Sequence, residues 1–240
     1  MSFNTWTPHA VASNSQPVKC AAWRAVEAQH IVSTLALVDS LEEQQILEFL
    51  LEQSKPRVPP EASHLHYLLA TPFRYPPSAH GSRFRAPHQP GVFYGADETR
   101  TACAELGHWR WRFLLDSPAL ASIGSKPQTV FQTLIATSTS VDVRVAPFDV
   151  DTATWTHPTD YSGCQAFANL VRAANVDAIQ YESVRDPQKG RCVALLTPGG
   201  FAESKPLDLQ TWALTVTRTH VVWQRQSAIT PAAFEFSFTE

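Results

Sequence analysis

Arg83, Tyr94 and Glu105 stand 11 residues apart in turn and offer a cation, an aromatic hydroxyl and a carboxylate. Such a set can bind an anionic molecule that carries rings and can stabilise positive charge developing on it. All three lie in the stretch Thr71–Phe113, which holds six of the 14 arginines, Arg74 through Arg112, against three acids, Asp97, Glu98 and Glu105. A locally positive segment inside a chain of net charge −3 suits a small anion. It gives no electrostatic footprint for direct nucleic-acid or membrane-surface binding.

The elements that must position these side chains are legible around them. Gly81 and Gly91, with Pro87 and Pro90, mark turns on either side of Arg83, and Gly91–Tyr94 predicts a short strand. Pro72, Pro76 and Pro77 bracket Arg74 and predict a stiff, extended loop. Asp97 reads as the N-cap of a helix to about Phe113. Its apolar stripe of Ala102, Leu106, Trp109 and Phe113 leaves Glu105 on the inward border, with Trp109 in the core and Trp111 on the surface.

Upstream, residues 1–17 read as a loosely held terminus, and Ala21–Val38 as a helix or a helix followed by a strand-like run. Ser40 and Glu43 form a capping box for a helix from Leu41 to about Gln53, ended by Lys55-Pro56. His64-Leu-His-Tyr-Leu-Leu-Ala-Thr-Pro-Phe73 reads as a short buried strand or a turn of helix. Downstream, strand patterns begin at Val130 and continue through alternating Val141, Val143 and Val145. Ser162 and Gln165 cap a helix stopped at Asn175. Ala178–Tyr181 is a strand delivering Ser183 and Arg185 to a loop, and three more strand patterns close the chain. The fold class is α+β, a mixed β-sheet core with flanking helices. A helical N-terminal extension over residues 1–60 and a catalytic-sized domain over 61–240 meet at a linker containing Pro56, Pro59 and Pro60.

The composition is that of a globular protein with proline-marked loops: 17% charged, 18 Pro and only 9 Gly. Cys20, Cys103, Cys164 and Cys192 form no C-x-x-C pair, and no leader pattern opens the chain, so a reducing, cytoplasmic setting is expected. His64 and His66 are not spaced as a zinc site, and no metal is expected. No apolar run approaches the ~20 residues needed to span a bilayer.

The Gly-Ser-Arg-Phe turn at 81–84, the Val-Phe-Tyr-Gly-Ala strand at 92–96, the Thr-Ala-Cys-Ala-Glu helix at 101–105 and Tyr-Glu-Ser-Val-Arg at 181–185 together resemble the RES domain family, over roughly residues 71–200. Phe84 stands where the family commonly has Trp. The resemblance implies an ADP-ribosyltransferase-like fold, an enzyme that consumes NAD, and a toxin paired and assembled with an Xre-like helix-turn-helix antitoxin. It assigns the family's Arg, Glu and Ser to Arg83, Glu105 and Ser183.

The residue types suit that chemistry. Breaking the nicotinamide–ribose bond passes through an oxocarbenium-like transition state that one carboxylate, Glu105, can stabilise. Arg83, supported by Arg74, would hold the pyrophosphate by charge-assisted hydrogen bonds, with Arg24 competing for the place of Arg74. Tyr94 would stack on a ring or position the ribose, and Ser183 would donate to a phosphate or to the nicotinamide amide. The plainer reading of Glu105 is an ion pair with Arg83 or Arg110. The functional alternative is a non-catalytic module whose arginine-rich cleft binds an acidic protein segment.

Overall fold

In the computed structural model, which describes residues 6–28, 37–75 and 81–238, the chain forms an α+β fold around an eight-stranded mixed sheet. Helix α1 (Pro8–Ser13) is followed by β1 (Gln16–Glu27), α2 (Leu41–Ser54), α3 (Tyr67–Arg74), β2 (Phe93–Ala96) and α4 (Thr99–Leu115). Then come β3 (Ser122–Asp142), α5 (Thr152–Trp155), α6 (Ser162–Ala173), β4 (Ala178–Glu182), β5 (Arg191–Leu195), β6 (Asp208–Thr217), β7 (His220–Arg225) and β8 (Ala233–Ser237). The strand order is β1-β2-β5-β4-β3-β6-β7-β8, and β1 also pairs with β3, so the first five strands close on themselves. Among the described residues only β3 and β4 pair in parallel. Their connection passes through α5 and α6, as a parallel pair requires.

The reading of Ala21–Val38 as helical is corrected: Ala21 to Glu27 belong to β1, which pairs with β3 over eleven residues; residues 29–36 fall outside the described part. Alanine richness misleads here because it serves close approach and not helix propensity. A Cβ added at Gly95 would come within 2.9 Å of the Ala22 Cβ, so only small residues let β1 and β2 meet. Of the helical extension expected over residues 1–60, α1 and α2 are helices, while β1 is a central strand of the sheet. The terminus is held from Trp6 onward, where the indole Nε1 donates to Asp151 Oδ2 at 2.8 Å and Val11 is fully buried.

Helix α2 carries the expected cap, Ser40 Oγ accepting from Glu43 N at 3.1 Å. Its apolar side chains are not the buried ones: Gln44 is buried, while Ile46, Phe49, Leu50 and Leu51 are exposed. The run Val141–Val145 is not a separate strand; β3 ends at Asp142, and Asp142 then pairs with Arg144 at 2.6 Å in the turn.

Three apolar clusters fill the molecule. One joins α6 to Phe84, Phe148, Trp155 and Tyr181, one joins α3 to Phe93, Phe131 and Leu195, and one joins α4 to Trp212, Trp223 and Phe236. Helices α4 and α6 are thereby fixed on the sheet, and the candidate site lies beside the first half of α4 and the start of α6. Among the described residues no helix is long and apolar enough to cross a membrane.

Candidate active site

Arg83, Tyr94 and Glu105 line one cleft of ≈ 500 Å³, together with Arg24 of β1, Tyr161 at the start of α6, and Arg185 of the β4–β5 loop. This is within the range of small-molecule sites. Three guanidinium groups face one carboxylate across walls of Trp23, Trp109 and Tyr181, a lining suited to an anion bearing flat rings.

Each side chain is placed by its own element. Gly81 (φ +61°) turns the chain so that Ser82 and Arg85 bond to each other, N to O, at 2.7 and 3.2 Å. A Cβ at Gly81 would fall 2.5 Å from Arg85 O, so the turn needs glycine. Phe84, fully buried, packs edge-on against Tyr181 and pins the turn. Arg83 is 8% exposed; its Nη1 donates to Trp155 O at 2.9 Å and His157 O at 3.0 Å, and its guanidinium lies 4.5 Å from the Tyr161 ring centroid.

Tyr94 differs from the expected ring-stacking or ribose-positioning role in where its hydroxyl goes. That hydroxyl shares a 2.7 Å hydrogen bond with Ser82 Oγ and accepts from Phe84 N at 3.0 Å. It therefore holds the turn that presents Arg83, while its ring forms part of the wall.

Glu105 accepts a 2.6 Å hydrogen bond from Ser183 Oγ. The ion pair considered with Arg110 does not form, because Arg110 pairs with Glu27. Burial raises the Glu105 pKa above the ordinary carboxylate range; the Ser183 hydrogen bond and then the charges of Arg185 and Arg83 pull it back. Burial dominates, as expected for a carboxylate in a largely apolar wall.

Ser183, expected to donate to a phosphate or to the nicotinamide amide, stands beside Glu105 instead. It is 1% exposed and does not line the cleft. Its oxygen also accepts from Arg185 N at 3.2 Å and Asp186 N at 3.1 Å, so it orients Glu105 instead of touching a ligand. Arg74 is corrected more fully. It ends α3, where Nε donates to Pro56 O at 2.6 Å and Nη2 pairs with Glu52 at 2.7 Å, away from the cleft lining. The expectation for Pro76 and Pro77 falls outside the described residues, and Pro72 lies inside α3.

Arg24, weighed against Arg74 in the sequence, does line the cleft. Its Nη1 donates to Tyr94 O at 2.8 Å and its guanidinium lies 5.0 Å from the Phe93 ring centroid, but among the described residues its Nε has no partner. Burial lowers its pKa to about 10 despite Tyr94 and Tyr181 nearby, so it stays cationic at neutral pH. A half-buried cation with no carboxylate partner among the described residues favours an arriving anion.

The residues missed by sequence reasoning are Tyr161, Arg185 and Trp109. Arg185 Nη2 donates to the Tyr161 hydroxyl at 2.9 Å; the only signal was its position two after Ser183. Trp109, expected in the core, is 53% exposed at the cleft, whereas Trp111, expected outside, is 2% exposed.

No curated protein matches the sequence. Among solved structures, one titled as the crystal structure of the M. tuberculosis MbcT-MbcA toxin-antitoxin complex matches with TM-score 0.49 at 11% identity, covering 88% of this chain and 92% of that one. The RES domain profile matches residues 57–217, more than half of the chain. The chain therefore belongs to the RES domain family.

Proposed function

We propose that the protein is an NAD-consuming enzyme that cleaves the bond between nicotinamide and ribose, and that it serves as the toxin of a toxin–antitoxin pair. The observation that carries this reading is a single carboxylate, Glu105, held by Ser183 in a cleft that also presents Arg24, Arg83 and Arg185. Family membership supports it, as the RES resemblance implies NAD as substrate.

In the bond-breaking step the electron pair of the C1″–N bond moves to the nicotinamide ring nitrogen and neutralises the pyridinium. No general acid is then required at the leaving group. Ionised Glu105 stabilises the positive charge left on the ribose, and the arginines hold the pyrophosphate. An acceptor with a lone pair, namely water, phosphate or a protein side chain, bonds to C1″ and gives up a proton.

Incubating purified protein with NAD and resolving the products tests the proposal. Nicotinamide together with ADP-ribose, ADP-ribose 1″-phosphate or a labelled protein identifies the acceptor. NAD recovered intact after prolonged incubation would leave the non-catalytic module, in which the same arginines bind an acidic protein segment. Equilibrium titration separates the two, since NAD binding at roughly micromolar to millimolar concentration belongs to the enzyme. An Xre-like partner covering the cleft would restrain the enzyme in its own cell.

A further inference from the structure

The β4–β5 loop brings two parts of the site together. Ser183 N donates to Gly190 O and Lys189 N to Asp186 O, both at 2.8 Å, which closes the loop on itself. Asp186, only 3% exposed, faces the first turn of α4. Its Oδ2 accepts from Thr101 Oγ1 at 2.7 Å, and its Oδ1 from Arg100 Nε at 3.2 Å and Gln188 N at 3.1 Å. Gly190 lies so close to the same turn that a Cβ there would fall 2.0 Å from Thr101 Oγ1. The loop is thus fastened to α4 one helical turn before Glu105, and residues four apart share a helix face.

The same loop supplies Ser183. A hydroxyl has one proton and two acceptor sites; with both sites taken by the amides of Arg185 and Asp186, the proton is directed at Glu105 Oε1. The Arg185 side chain leaves this loop for the cleft wall. Asp186 touches neither the cleft nor Glu105, yet its bonds to Thr101 and Arg100 set where both Ser183 and Arg185 stand relative to α4.

We propose that Asp186 and Thr101 form a clamp that positions the Glu105 carboxylate and the Arg185 guanidinium, so that Asp186 is a positioning residue for the reaction. The inference rests on Glu105 being the catalytic carboxylate. A buried carboxylate is costly to keep and often serves stability no better than apolar packing would. Its place here, between the two parts of one site, is what a positioning role requires.

The test is the titration midpoint of Glu105, followed by NMR of ¹³Cδ-labelled glutamate in the full chain, beside the steady-state kinetics of nicotinamide release. The groups facing Glu105 are Ser183, Arg185 and Asp186 of the loop, Arg83 of the turn before β2, Tyr181 of β4 and Cys192 of β5. Thr101→Val removes a neutral hydroxyl, so any movement it causes is geometric. The midpoint should rise, as in Ser183→Ala; kcat should fall by about ten- to a hundredfold, KM for NAD should rise, and Thr101→Ser should restore all three.

Asp186→Asn gives a test of sign. Loss of a neighbouring negative charge alone would lower the Glu105 midpoint, whereas loss of the clamp raises it. A wild-type midpoint in Thr101→Val, or a lowered one in Asp186→Asn, overturns the proposal. If the midpoints move as expected while Glu105→Gln still turns over NAD, the clamp stands and the catalytic reading fails. If Glu105→Gln is inactive and the midpoints do not move, the reading stands and the clamp fails.

Discussion

In the proposed reaction a single carboxylate does most of the work, and its surroundings pull it in two directions. Burial favours the neutral acid, while the Ser183 hydrogen bond and the nearby arginines favour the ion that the chemistry needs. NAD turnover should therefore rise with pH through a midpoint above the ordinary glutamate value of about 4.3. Ser183→Ala removes a bond that favours the ion, so this acidic limb should move to still higher pH; a pH–rate profile reads the shift, and an unmoved limb would deny Ser183 its orienting role. Because the folded-state pKa is raised, Glu105 favours the fold only while protonated, and that contribution is lost as pH rises through its folded value. Glu105→Gln, neutral throughout, should melt no lower than wild type at pH 7. Arg83, Tyr94 and Glu105 were legible because one short stretch carries all three. Arg185, Asp186 and the true partner of Ser183 were not, since long-range packing of the β4–β5 loop against α4 decides them.

Among the elements, the turn before β2 and helix α4 show what pattern reading catches and what it loses. Gly81 marked the turn correctly, and its φ of +61° with a Cβ blocked by Arg85 O gives the mark a physical reason. Gly81→Ala should displace Arg83, raise KM for NAD by tenfold or more, and cost about 1–3 kcal/mol of stability; chemical denaturation and initial rates check both. In α4 the stripe read from Ala102, Leu106, Trp109 and Phe113 packs only in part: Ala102 is buried and Leu106 borders the core, while Trp109 and Phe113 are exposed. The buried face runs through Ala104, Gly107, His108, Trp111 and Leu114. Its centre is Gly107, where a Cβ would meet Val221 at 2.9 Å. A glycine that lets a sheet lie against a helix gives no hydropathy signal, so Trp109 and Trp111 exchanged places, and the exposed Trp109 became part of the cleft. Helix α2 was legible in extent and cap but not in facing, since Gln44 is buried while Leu50 and Leu51 are exposed.

Across the whole molecule, the cleft is assembled from residues as far apart as Arg24 and Arg185, and the family-matched region begins only at residue 57. Strand β1 lies before that region, yet it pairs with β3 over eleven residues and contributes a cation to the site. Deleting residues 1–28 should therefore abolish cooperative folding, read by near-UV circular dichroism and thermal melting, and should not leave a shortened active domain. The α+β class, most strands and the approximate extents of helices α2, α4 and α6 follow from the sequence pattern, but only α2 carries the cap read for it: α4 begins after Glu98 and α6 after Tyr161, neither with a side-chain cap. The closure of five strands through β1 and β3 does not, because a single strand's pattern carries no record of its partners. The central claim, that Glu105 carries the chemistry in this cleft, is tested most directly by the rate of nicotinamide release from NAD in Glu105→Gln against wild type at equal fold. The expected result is a loss of about a hundredfold or more in kcat with NAD affinity within a few-fold of wild type and no drop in melting temperature; undiminished release by the folded variant would contradict it.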